Sequence, residues 1–227
     1  MDRKERRRRG KETNRKEIVD AAERLFFSQG YENTSMDQVA KEAEFSKRTV
    51  YVYFSGKEQI YFEVMIRGYR LLIGMVEESF RESRPRNALE EMRCLFFTLF
   101  RFSGEYPAYF KAMMEYETGD SDGRAGAGDE PKAECYRLGE QLFGYLSRAL
   151  QRGAEEGSLP GNLETEKAAL ILWACAVGVF NTAAKKGAYL KNYHQIDPEE
   201  FIADSFGWIM RLIGGNGGDR REEEKSG

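Results

Sequence analysis

Apolar residues recur along this chain at helical spacing, and no stretch alternates in the manner of a strand. Ile18, Ala21, Ala22 and Leu25 fall at i, i+3, i+4 and i+7, which predicts a first helix over about 15–28. Asn14 with Glu17 forms its capping pair, and Gly30 follows its end. Met36, Val39, Ala40 and Ala43 form the stripe of a short second helix, opened by the pair Ser35 and Gln38. Ser46 then reads as the cap of a third helix over about 47–53. Ser55 and Glu58 open a fourth, free of proline to about residue 82 and so ~40 Å long.

Beyond Pro85 the pattern predicts five more helices, over about 87–103, 107–117, 132–156, 164–186 and 198–213. A Gly/Asp-rich loop over 118–131 and the Pro160-Gly161 break separate them. Asp197-Pro198-Glu199-Glu200 places a cap, a proline at the first position and acids in the first turn. The fold class is therefore all-α, with nine helices.

Composition narrows the classes. With 41% apolar and 13% aromatic residues in 227, the chain can build a substantial core. The net charge of −3 is uneven: residues 1–57 carry +4 and the remainder −7, so a polyanion partner is expected at the basic end. Cys94, Cys135 and Cys175 are widely spaced, and His194 is the sole histidine. No metal site, cofactor or disulfide framework is expected, and the chain fits a reducing cytoplasm. The basic N-terminal residues are not followed by an apolar run, so they are not read as a secretory signal. The most apolar run, 168–180, is too short to span a bilayer, and no membrane partner is expected.

Three short helices in the first 54 residues, the last two joined by Glu44-Phe45-Ser46, match a helix-turn-helix whose final helix enters the major groove. That helix offers Lys47, Arg48, Thr49, Tyr51 and Tyr53 as donors to phosphates and base edges. The segment around it resembles the N-terminal signature of the TetR family. The likeness rests on Phe26, Gly30 and Tyr31, on Thr34-Ser35, on Val39-Ala40 and Ala43, on Ser46, on the run Tyr51-Val52-Tyr53-Phe54 and on Lys57-Glu58. Glu44 departs from it, because the family usually has glycine there.

The resemblance implies a homodimeric regulator of double-stranded operator DNA. Thr34 and Ser35 would present their hydroxyls and the start of the second helix to phosphate, Ser46 would lie at the start of the third, Tyr51, Tyr53 and Lys57 would hold phosphates, and Lys47, Arg48 and Thr49 would face the groove. The chain then divides into a flexible basic arm (1–12), a DNA-binding head (13–57), an effector-binding and dimerisation body (58–214) and a disordered tail (215–227). The arm, with Arg6 to Arg9, reads either as a minor-groove arm or as a solvated tail.

The body carries material for an apolar effector pocket: Phe62, Met65 and Tyr69, then Phe97, Phe100, Phe110 and Met113, then Phe143 and Trp173. Polar Arg93 and Asn181 sit within these apolar stretches, Arg93 as a partner for an anionic group or as an outward-reaching side chain. A hydrophobic, drug-sized or acyl-type effector is expected. The helix over about 164–186 is apolar nearly all round, and the resemblance implies that it and the last helix form a four-helix dimer interface with their symmetry mates. No nucleophile–base pair and no phosphate-cradling loop is present, so an enzyme is not expected. The competing readings are an activator of the same fold and a ligand-binding protein without operator activity.

Overall fold

The computed structural model describes residues 3–117 and 130–214. The described residues form helices and no strands: α1 (Arg3–Gln29), α2 (Met36–Glu42), α3 (Lys47–Tyr53), α4 (Lys57–Ser83), α5 (Ala88–Glu105), α6 (Pro107–Glu117), α7 (Glu130–Glu155), α8 (Thr165–His194) and α9 (Pro198–Gly214). The all-α architecture is the one the periodicity predicts. The expected disordered tail and nearly all of the Gly/Asp-rich loop lie outside the described residues.

Two elements are longer than expected. Helix α1 starts at Arg3, so residues 3–12 of the expected flexible arm are helical and Asn14 is an interior residue. Its amide donates to the Tyr53 hydroxyl at 3.2 Å. Ion pairs one turn apart, Arg9–Glu5 at 3.6 Å and Arg8–Glu12 at 3.5 Å, support this polar stretch. Helix α8 continues to His194, and the place where it was expected to stop is a kink at Lys186 (φ −120°, ψ 17°). Pro198 of α9 lies 3.2 Å from where a β-carbon on Gly187 would sit, a close approach that glycine eases. By length and composition α8 can cross a bilayer, unlike the 168–180 run alone, but it packs against α9.

The chain forms two compact units. The first comprises residues up to Leu71 together with Ala108–Gly139. Its core joins Ile18, Ala22 and Phe26 of α1 to Val39 of α2, Val50 of α3 and Ile60 of α4. Each large side chain buried this fully contributes about 1.5–3 kcal/mol. The boundary expected near residue 57 lies inside this unit, because Ile60 and Val64 complete its core. Arg67 of α4 pairs with Asp20 (2.6 Å) and Glu23 (2.9 Å) of α1, and the Tyr109 hydroxyl of α6 donates to Glu23 at 2.7 Å. Burial and this carboxylate push the Tyr109 hydroxyl pKa up. Hydrogen bonds from Arg137, then from Arg70, hold the Glu134 carboxyl down at about 2.

The second unit comprises Leu72–Pro107 and the residues from Glu140 on. Asn87 caps α5 by accepting from the Glu90 amide at 2.9 Å, and Glu156 accepts from the Ala88 amide at 2.8 Å. Asp197 caps α9 through the Glu199 amide at 2.9 Å. Ala88, Met92, Leu150, Leu159, Ala169 and Leu172 form its buried core.

Candidate nucleic-acid interface

The interface begins with local capping. Ser35 accepts from the Gln38 amide at 3.2 Å while Gln38 Oε1 accepts from the Ser35 amide at 2.8 Å, a reciprocal box that opens α2. Helix α2 ends at Glu42 with Ala43 as its C-cap, after which Glu44 takes the left-handed conformation at φ 58°. The Glu44 amide donates to the Lys41 carbonyl (3.1 Å) and the Phe45 amide to the Ala40 carbonyl (2.9 Å), which closes the helix in a Schellman motif. Glutamate therefore accepts the conformation where glycine is usual, at a cost of about 1 kcal/mol. Ser46 then caps α3, accepting from the Thr49 amide at 3.1 Å and sharing a 2.8 Å contact with the Thr49 hydroxyl.

Helix α3 buries Val50 and turns Lys47, Arg48, Tyr51 and Val52 to solvent. Lys47 pairs with Asp37 of α2 at 2.7 Å, and this hydrogen bond raises the lysine pKa. Tyr51 is 47% exposed. Tyr53 is half-buried and accepts from Asn14, and Thr49 is spent largely on the cap. Val52, 71% exposed, was not singled out from the sequence. Its signal was there: in a seven-residue helix Val50 and Val52 cannot both face the core.

Two expected phosphate contacts are otherwise engaged. Thr34 is 3% exposed, and its hydroxyl donates to the Gly30 carbonyl (2.8 Å) and accepts from the Gln29 amide (3.1 Å). Lys57 donates to the Tyr31 carbonyl at 2.7 Å and lies 4.0 Å over the Tyr31 ring. Burial, then Glu58 and Glu32, raise the Tyr31 hydroxyl pKa. Ser35 and Ser46 are exposed beside their caps.

The residues expected around an effector do not gather in one place. Phe62, Met65, Tyr69, Phe110 and Met113 belong to the first unit, where all are buried. Phe143 and Trp173 line an apolar cavity of about 90 Å³ in the second unit, together with Leu72, Met92, Leu99 and Phe206. Phe100 and Asn181 are half-buried elsewhere in that unit. Arg93 is exposed on the outer side of α5, its guanidinium 5.3 Å from the Phe97 ring centroid.

Residues 18–64, which span α2, α3 and the flanking parts of α1 and α4, match the family model described as bacterial regulatory proteins, tetR family. This segment is similar to the DNA-binding segment of that family. An uncharacterized HTH-type transcriptional regulator of Haemophilus influenzae is 28% identical over 102 residues, covering 45% of this chain. The chain spans about half, 54%, of that relative's length. Two solved structures share the fold of this chain. FadR from Bacillus subtilis, in complex with stearoyl-CoA, superposes with a TM-score of 0.66 at 17% identity, covering 87% of this chain and 98% of that one. AibR, in complex with isovaleryl coenzyme A and operator DNA, superposes with a TM-score of 0.62 at 18% identity over the same shares.

Proposed function

We propose that this TetR-family chain is a ligand-responsive, sequence-specific DNA-binding regulator. In this reading it represses as a homodimer on a near-palindromic operator and is released by a small hydrophobic effector. The observation that carries the reading is the solvent face of α3. Lys47, Arg48, Tyr51 and Val52 project from a short helix capped at Ser46 and fixed by the turn at Glu44. Arginine reads guanine edges, lysine and tyrosine take phosphates, and an exposed valine meets a thymine methyl. The Schellman geometry at Glu44 supports this reading over a protein that keeps the fold without the DNA activity.

The effector is proposed to occupy the cavity beside Phe143 and Trp173. Its 90 Å³ is below the usual 300–1,000 Å³ of ligand pockets, so an acyl-type ligand would enter by moving flexible neighbours such as Met92 and Met210. The acyl-CoA complexes of FadR and AibR support that ligand class. Helix α4 is one continuous helix from Lys57 to the cavity residues Leu72 and Val76, and it is the proposed route of coupling. The ligand acts only through its different affinity for two states.

A gel shift on the DNA upstream of the protein's own gene, titrated with salt, tests this function. A shift that weakens steeply with salt and loses sequence preference in Arg48→Ala is expected. The absence of a shift at low salt would overturn it.

A further inference from the structure

A groove of about 1050 Å³ lies in the second unit between the end of α4 and the outer side of α5. Its walls carry four arginines, Arg84, Arg86, Arg93 and Arg101, against a single acid, Glu90. Glu90 is already spent on Arg86, accepting from its amide at 2.8 Å and from its guanidinium at 3.0 Å. Arg101 has only a 3.8 Å contact with Glu105, one turn along on an exposed face. Arg84 and Arg93 have no ion-pair partner among the described residues. Three largely uncompensated guanidinium groups thus share one concavity, in a region of the chain whose net charge is −7.

The groove also has polar donors and an aromatic face. Ser79 and Ser83 contact the Cys94 thiol at 3.0 and 3.6 Å, and Thr98, 3% exposed, completes the lining. Phe97 lies under the Arg93 guanidinium. Arg84 is placed at the lip by the backbone: it follows α4 in a left-handed conformation (φ 46°), and Pro85 prevents the helix from continuing. The inner side of α5, with Met92, Phe96 and Leu99, lines the apolar cavity, so the two sides of one helix present opposite chemistries.

We propose that this groove binds a small organic phosphate, its phosphate oxygens held by Arg84, Arg93 and Arg101 and its ring portion resting on Phe97. Guanidinium groups match phosphate oxygens in fork geometry, and such charge-assisted bonds are about twice as strong as neutral ones. The site does not depend on the DNA-binding reading, and its occupant need not enter the apolar cavity.

Calorimetric titration of the full chain at low salt, with adenosine diphosphate and with inorganic pyrophosphate as separate probes, tests the site. Saturable binding is expected for both. Arg93→Gln and, independently, the exposed lip variant Arg84→Gln should each weaken it about tenfold. Phe97→Leu should weaken the diphosphate nucleotide and leave pyrophosphate unchanged. If pyrophosphate binds as tightly as the nucleotide, the organic portion gains nothing from Phe97 and an organic phosphate as the occupant is overturned. No saturable heat with either probe, or unchanged affinity in both arginine variants, overturns the proposal. Because the readout is calorimetric and free of DNA, its failure is distinct from failure of the operator assay.

Discussion

At the scale of single residues, the hydroxyl of Thr34 separates two roles that the sequence could not. It bridges the Gly30 carbonyl and the Gln29 amide in a buried position, where a lost partner costs about 1–3 kcal/mol. Thr34→Val keeps the shape and removes both bonds. Chemical denaturation should show a loss of about 1–2 kcal/mol, with operator affinity of the folded protein within about twofold of the parent, since the buried hydroxyl is spent on Gly30 and Gln29. A large affinity loss at unchanged stability would return Thr34 to the phosphate face. Lys57 illustrates the same point: its position in the motif was legible, but its engagement with Tyr31 depends on a ring 26 residues away in sequence.

At the scale of elements, Gly153 of α7 shows how tightly the second unit closes. A β-carbon there would sit 2.6 Å from a Leu159 methyl and 3.2 Å from the Ala88 β-carbon. Gly153→Ala should therefore destabilise the protein by about 1–3 kcal/mol despite alanine's better helix propensity, measurable as a lowered Tm. Equal or higher stability would mean that Leu159 swings away freely. The capped helix starts at Ser35, Ser46, Asn87 and Asp197 were legible because capping is written in four consecutive residues. The start of α1 was not: a helix exposed on every side has no apolar stripe to mark it. The cavity escaped for a different reason. Spacing identifies Met92 and Leu99 as buried, but it cannot say that a void lies opposite them.

At the scale of the whole molecule, the proposed dimer is argued from what α8 and α9 leave uncovered. Leu170, Ile171 and Trp208 are each more than half exposed, and solvated apolar area of this kind marks an association surface. Trp208→Glu should convert a sedimenting dimer to a monomer, with a dissociation constant raised about thirtyfold or more and the helical circular dichroism unchanged. A parent protein that sediments as a monomer, or a variant that stays dimeric, would sink this arrangement. The helical course of α1 from Arg3 has its own bearing on the same complex. An extended arm covers about 3.3 Å per residue and can thread a groove, whereas a helix covers 1.5 Å and fans successive side chains around its axis. Arg6, Arg7, Arg8 and Arg9 therefore radiate in four directions, and a single DNA backbone can meet only part of them. As long as it stays wound, this segment would act as a diffuse cloud of positive potential that draws the duplex in from a distance; reading a groove with it would first require it to unwind.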